Sequence, residues 1–176
     1  DKRVLVTGAD GFVGSHLTER LIENGAFVSV FVRDVNLKNL NHVKDKIKNV
    51  IVGDIQDPAI VGFIVRDSPQ IIFHLAADGY VLNSINNPVS VNKINLNGTL
   101  NVLEAARLLK DNRLKRFVYT STCLVYGTKL KAIKEEEDFK PSHPYAASKA
   151  AAELYCYSYY KTYSIPVAIL RPFNIY

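Results

Sequence analysis

Short β-branched runs alternate with longer stretches of helical period along the whole chain, and no other feature restricts its fold as tightly. The runs Val4-Leu5-Val6, Val28-Ser29-Val30-Phe31-Val32, Val50-Ile51-Val52, Ile71-Ile72-Phe73, Phe117-Val118-Tyr119 and Val167-Ala168-Ile169-Leu170 are apolar with little alternation. Runs of this kind read as strands buried on both faces. Between them, near 12–24, 57–67, 88–111 and 144–164, apolar residues recur three and four apart, as on one face of a helix. Such alternation predicts an α/β domain: a doubly wound parallel sheet with right-handed crossovers and helices on both faces. Asn24-Gly25 closes the first helix, and Pro58, Pro88 and Pro144 fall near helix starts, where a missing N–H costs nothing. The polar stretch 128–143 is long enough to be a loop over a site.

At 176 residues, 48% hydrophobic and 22% charged, the chain fits one domain, residues 1–176, and is not disordered in bulk. No apolar run approaches the roughly 20 residues of a spanning helix, so no membrane partner is expected. The chain opens Asp1-Lys2-Arg3 without signal-peptide architecture, contains no Met and stops at Tyr176 just past an apolar run. It is expected to be cut at both ends. Cys123 and Cys156 are too few and too far apart for a metal knuckle or a disulfide framework. A reducing, cytoplasmic setting and no metal are the expectation. A net charge of +5 permits an anionic ligand without demanding nucleic acid. Tyr155, Tyr157, Tyr159, Tyr160 and Tyr163 lack the interleaved basic array of a nucleic-acid surface, so they read as helix-face packing.

Thr7-Gly8-Ala9-Asp10-Gly11-Phe12-Val13-Gly14 joins the first strand to the first helix. Glycines placed there let the backbone turn tightly and approach a diphosphate, whose charge the amides of a helix N-terminus favour. The G-x-x-G-x-x-G spacing is one residue longer than the usual dinucleotide fingerprint. Its setting between a buried strand and an amphipathic helix favours the cofactor reading over a merely structural turn.

Together with what lies downstream, this turn resembles the extended short-chain dehydrogenase/reductase family, whose members act largely on nucleotide sugars. The motifs run in order: Thr7-Gly8-x-x-Gly11-x-x-Gly14, Gly53-Asp54-Ile55, His74-Leu75-Ala76-Ala77, Asn95-x-Asn97-Gly98-Thr99, Ser121-Thr122-x-x-Val125-Tyr126-Gly127, Tyr145-x-x-x-Lys149 and Arg171-Pro172-Phe173-Asn174. The resemblance implies a Rossmann-like dinucleotide domain, with the smaller C-terminal substrate domain absent after Tyr176. It implies that Gly8, Gly11, Phe12, Val13 and Gly14 flank the diphosphate, that Asp54 and Ile55 meet the adenine, and that Leu75, Ala76, Ala77, Asn95 and Thr120 line the nicotinamide side. Ser84, Phe173 and Asn174 would form the sugar side, with Phe173 also against the cofactor. Asp54 could instead close a turn, and Leu75 to Ala77 could be the small end of a buried strand. The resemblance further implies a homodimer through the helices near 88–111 and 144–164.

Cofactor choice turns on the end of the second strand. Family members that prefer NAD usually carry an acid where this chain has Val32, and here Arg33-Asp34 follows. The Arg33 fork suits the 2′-phosphate of NADP, whereas Asp34 could reach the ribose of NAD; the balance leans slightly to NADP.

Tyr145 and Lys149 stand four apart on one helix face. Proton abstraction from a sugar hydroxyl needs a base, and a free phenol with a pKa of about 10 is protonated at neutral pH. A nearby ammonium stabilises tyrosinate, so Lys149 is expected to draw Tyr145 down and to hold the nicotinamide ribose. Thr122 follows the fifth strand and can bind the reacting oxygen and relay the proton, with Ser121 its nearest competitor. The following pair bears on the reaction. By the resemblance, 4,6-dehydratases carry Asp-Glu there to eliminate water, and this chain has Cys123-Leu124. The expectation is therefore an NAD(P)-dependent nucleotide-sugar epimerase oxidising C4 transiently. A 4,6-dehydratase or a non-catalytic dinucleotide-binding module are the alternatives. Cys123 reads as a small buried hydrophobe rather than a nucleophile.

Overall fold

Parallel pairing joins the apolar runs into one sheet. The computed structural model describes residues 2–109 and 114–176. In it β1 (Arg3–Thr7), β2 (Phe27–Val32), β3 (Asn49–Val52), β4 (Ile71–His74), β5 (Arg116–Thr120) and β6 (Val167–Leu170) form a six-stranded sheet in the order β3-β2-β1-β4-β5-β6. Each neighbouring pair is parallel. The order reverses between β1 and β4, and the crevice beyond the carboxyl ends of those strands is where doubly wound sheets take ligands.

The helices are α1 (Phe12–Glu23), α2 (Ile60–Asp67), α3 (Val81–Asn86), α4 (Pro88–Asn92), α5 (Gly98–Leu108) and α6 (Pro144–Tyr163). Side-chain alternation along β1 splits the core into two layers. Val4 and Val6 pack with Val28, Val30 and the Leu17–Leu21 face of α1, whereas Leu5 packs with Ile72, Phe117, Val102 of α5 and Ala152 of α6. Burial on both faces thus holds for the central strands and fails at the margin. Val50 and Val52 of β3 are 40% and 46% exposed, because an edge strand lies beyond the reach of the covering helices.

The stretch near 88–111 is not one helix. α4 passes into a π turn at Lys93–Asn97 before α5 resumes, and positions 110 and 111 lie outside the described residues. Pro88 and Pro144 begin α4 and α6, and Gly25 takes a φ of 78° just after α1. The short α3 has too few turns to leave a periodic signal. Residues 128–143 form neither helix nor strand.

Candidate active site

Gly8 ends β1 at a φ of 68°, and its amide donates to the Phe31 carbonyl of β2 at 3.0 Å. A Cβ on Gly8 would lie 2.8 Å from the Ala76 nitrogen, and one on Gly14 would lie 2.2 Å from the Gly8 carbonyl oxygen. Glycine at both places lets α1 start hard against the sheet with the end of β4 beside it. The first turn of α1 carries no acidic residue and no side-chain cap among the described residues. Its amide dipoles are left for an anion.

This turn walls a cavity of about 390 Å³ that also meets Arg33, Asp34, Asp54, Ile55, Leu75, Ala76 and Ala77. That size falls among small-molecule sites. Arg33 and Asp34 both reach it, and one Asp34 oxygen accepts the Asn36 amide at 2.9 Å. Asp54 lines the cavity and also closes a turn, accepting the Gln56 amide at 2.9 Å.

A directed chain of hydrogen bonds fixes the far wall. The Thr7 hydroxyl accepts from the Leu75 and Ala76 amides at 3.2 and 3.1 Å and donates to His74 Nδ1 at 2.7 Å. His74 Nε2 donates to the Thr99 hydroxyl at 3.0 Å, which donates to the Asn95 carbonyl at 2.6 Å. That polarity requires a neutral imidazole protonated on Nε2. Burial, aided by the Lys149 charge, lowers His74 to about 3. Asn95 lies in the π turn, a feature frequent at functional sites. Its Oδ1 accepts the Asp78 amide at 2.8 Å while its Nδ2 donates to the Asp78 carbonyl at 3.1 Å and to the Ser148 hydroxyl at 3.0 Å. Asn95 therefore fastens the loop after Ala77 to α6.

Thr122 caps the 3₁₀ turn Cys123–Tyr126, accepting the Leu124 amide at 3.2 Å, and its hydroxyl acts to lower the Tyr145 phenol. Ser121 is buried, with its hydroxyl unpartnered among the described residues. Tyr145 differs from expectation: burial holds it above the usual phenol value, the Thr122 bond opposes this, and Cys123 and Asp78 add to the rise. Lys149 does not draw it down. Its ammonium, 3% exposed, lies 4.5 Å from the centre of the Tyr119 ring. Burial lowers Lys149 to about 8, against the pull of Cys156 and Glu153.

The remaining candidates disperse. Phe12 and Val13 are exposed beside the glycine turn, and Thr120 ends β5. Ser84 is buried in α3 with its hydroxyl donating to the Val81 carbonyl at 2.7 Å. Phe173 and Asn174 are exposed, and Phe173 lines a second hollow with Tyr126, Ile133 and Arg171 rather than the cavity at the glycine turn. Two readings are corrected. Cys123 is only partly buried, since the 3₁₀ turn carries it toward Tyr145 rather than into the core. Tyr155, Tyr157, Tyr160 and Tyr163 are exposed, because one helix can turn only part of its girth inward; Tyr159 packs against the core and donates to Glu104 at 2.5 Å. Glu153, which sequence reasoning passed over, and Arg171, named there only within a motif, form a close ion pair with contacts of 2.7–3.1 Å. The spacing of Glu153, four after Lys149, was the available signal. No helix among the described residues is long and apolar enough to cross a membrane.

The family model described as GDP-mannose 4,6 dehydratase matches residues 5–176. The chain is 36% identical over 183 residues to human dTDP-D-glucose 4,6-dehydratase, covering 99% of this chain and 51% of that protein. A UDP-N-acetylglucosamine 4-epimerase structure from Methanobrevibacter ruminantium superposes with a TM-score of 0.89 at 34% identity, covering 100% of this chain and 56% of that one. A Thermus thermophilus UDP-glucose 4-epimerase in complex with NAD gives a TM-score of 0.84 at 33% identity, covering 96% and 54%. The chain belongs to the nucleotide-sugar epimerase/dehydratase family of extended short-chain dehydrogenases/reductases. It spans about half the length of the curated relatives it matches.

Proposed function

We propose that these residues are the dinucleotide-binding and catalytic half of an NAD(P)-dependent nucleotide-sugar 4-epimerase. The observation that carries this reading is the placement of Thr122 just past the carboxyl end of β5, where its hydroxyl acts to lower the Tyr145 phenol at the start of α6, in a sheet whose glycine turn follows β1. The cradle fits a dinucleotide: a Cβ would fill it at Gly8 and Gly14, and the first turn of α1 offers dipoles to a diphosphate. Gly8, Gly11, Phe12, Val13 and Gly14 would hold the diphosphate, Asp54 and Ile55 the adenine, and Leu75, Ala76, Ala77, Asn95, Thr120 and Lys149 the nicotinamide side. When bound, the nicotinamide supplies reversible two-electron oxidation at the sugar C4, chemistry that no side chain offers.

The residues of the chain handle the proton. Thr122 holds the C4 oxygen and passes its proton to Tyr145 in the phenolate form as the carbonyl forms, and the phenol returns it when the alcohol is restored. Burial alone favours the phenol, so the positive charge that a bound nicotinamide would bring is needed to favour the phenolate. Lys149 holds the ribose and supplies the positive charge of the site. Ser84, Phe173 and Asn174 contribute to the sugar side. NAD-bound neighbours support NAD, while Arg33 at the cavity supports the slight lean to NADP. Dissociation constants for both cofactors test this, and a clear preference for NAD removes the role given to Arg33.

Cys123-Leu124 supports epimerisation over dehydration, since neither side chain can serve as the acid–base pair that eliminates water. The human relative is named a 4,6-dehydratase, which keeps that reaction as the second reading. Exposed Val89 of α4 and Leu154, Tyr157 and Tyr160 of α6 support a homodimer through these helices, and the free Cys123 and Cys156 support a reducing, cytoplasmic setting. A screen of the full-length protein against nucleotide sugars, with product stereochemistry assigned, tests the reaction. A C4-inverted sugar is expected; a 4-keto-6-deoxy product would establish the dehydratase instead, and dinucleotide binding without any turnover would leave a binding module.

A further inference from the structure

Three buried side chains descend one face of α6 below the phenol: Lys149, Glu153 and Cys156, at 3%, 2% and 0% exposure. Below them Arg171, just past β6, grips Glu153 with Nε on both carboxylate oxygens at 3.1 and 3.0 Å and Nη2 on one at 2.7 Å. The same guanidinium donates to the Glu135 carbonyl at 2.8 Å and to the Tyr126 hydroxyl, and lies 5.1 and 4.9 Å from the Tyr126 and Phe139 ring centres. Arg171 thereby joins α6 to the segment that runs from Thr122 to Tyr145. The proposed function uses neither member of this pair.

The other groups around Lys149 leave Glu153 as its counter-charge. His74 on β4, lowered to about 3, is neutral, and Tyr119 on β5 is raised well above the usual phenol value by burial. Cys156 is pushed up to about 12 by burial, so it is an uncharged thiol where Lys149 titrates. Tyr145 is raised, and Cys123 and Asp78 lie toward its phenol. Tyr126 of the 3₁₀ turn is bonded to Arg171, α3 and α4 carry no titratable side chain, and Lys93 of the π turn lines a surface hollow. On α5, Glu104 is taken by Arg107 and Tyr159.

We propose that Glu153 and Arg171 are positioning residues for the Tyr145–Lys149 couple: the Glu153 carboxylate keeps Lys149 an ammonium, and Arg171 limits how much of that carboxylate Lys149 feels. The role in catalysis rests on the function proposed above; the charge coupling does not. The two halves of the ion pair then act on Lys149 in opposite directions. Glu153→Gln removes the counter-charge and makes the ammonium harder to keep. Arg171→Gln releases the carboxylate to Lys149 and makes it easier. A pair electrostatically remote from Lys149 would move its midpoint in neither variant.

The test titrates Lys149 directly in the full-length protein labelled with [ε-¹³C]lysine, its resonance assigned with Lys149→Met, and follows NAD affinity against pH. Glu153→Gln is expected to lower the Lys149 midpoint by about one pH unit and Arg171→Gln to raise it by about half a unit, scales set by a single charge near a buried group. The double variant leaves neither Glu153 nor Arg171 without its ion-pair partner, so it serves where a single variant fails to fold; its midpoint should fall below wild type, as in Glu153→Gln. Midpoints that stay at the wild-type value, or that move in the same direction in both single variants, overturn the proposal. NAD affinity that ignores the Lys149 midpoint while the midpoint shifts as expected leaves the coupling standing and overturns the cofactor role of Lys149.

Discussion

Around β1 and β2 the cavity is walled by main-chain groups: a Cβ on Gly8 or Gly14 would come within 2.8 or 2.2 Å of neighbouring backbone, and the first turn of α1 presents amides. Between β5, α6 and β6 the site is built instead from ionisable side chains, with Lys149 and Glu153 held away from water and the partly exposed Arg171 paired to Glu153 at 2.7 Å. The first region needs little beyond shape. The second holds charges whose desolvation must be offset by partners, so it is where pH and single substitutions act most strongly.

The largest expected effect lies in the second region. Arg171→Ala leaves the Glu153 carboxylate buried without its partner, and the protein should lose about 3–5 kcal/mol in denaturant unfolding. A loss below about 1 kcal/mol would erase the contrast. Gly14→Val comes next: its Cβ would start 2.2 Å from the Gly8 carbonyl oxygen, so the turn must move. Overpacking at a cost of about 3 kcal/mol should appear as a roughly 100-fold loss of NAD affinity by calorimetry. Lys149→Met sharpens the comparison through pH. Lys149 falls from 10.5 to about 8 on folding, so between those values the unfolded state binds more protons and wild-type stability rises with pH. The variant lacks that rise, is more stable than wild type at pH 7 by at most roughly 3 kcal/mol, and loses the advantage above pH 10.5. Arg33→Ala should have the smallest effect on folding, within about 0.5 kcal/mol, because the side chain is exposed. Its measurable consequence is weaker NADP binding, by about tenfold, with NAD unchanged.

The same contrast explains what could be read from the chain alone. Central strands, the glycine turn, both proline helix starts and the Thr122–Tyr145–Lys149 set are local signals, carried by neighbours in sequence. The exposed β3, the π turn at Lys93–Asn97 and the α3 helix depend on what packs against them, and nothing local announces that. The charge environment was least legible. Asn95 meets Ser148 across 53 residues, Thr7 meets His74 across 67, and Glu153 meets Arg171 across 18. The expectation that Lys149 lowers Tyr145 failed for the same reason: helical spacing gives a shared face, but the Tyr119 ring on β5 decides where the ammonium settles.

Tyr145→Phe in the full-length protein measures the central claim most directly, by comparing NAD affinity with the rate of C4 oxidation of a nucleotide sugar that the wild type turns over. With Tyr145 as the proton carrier, affinity should stay within about threefold while oxidation falls by roughly 1,000-fold, the scale of a lost general base. Oxidation at the wild-type rate in a variant that still binds NAD would contradict the assignment of Tyr145.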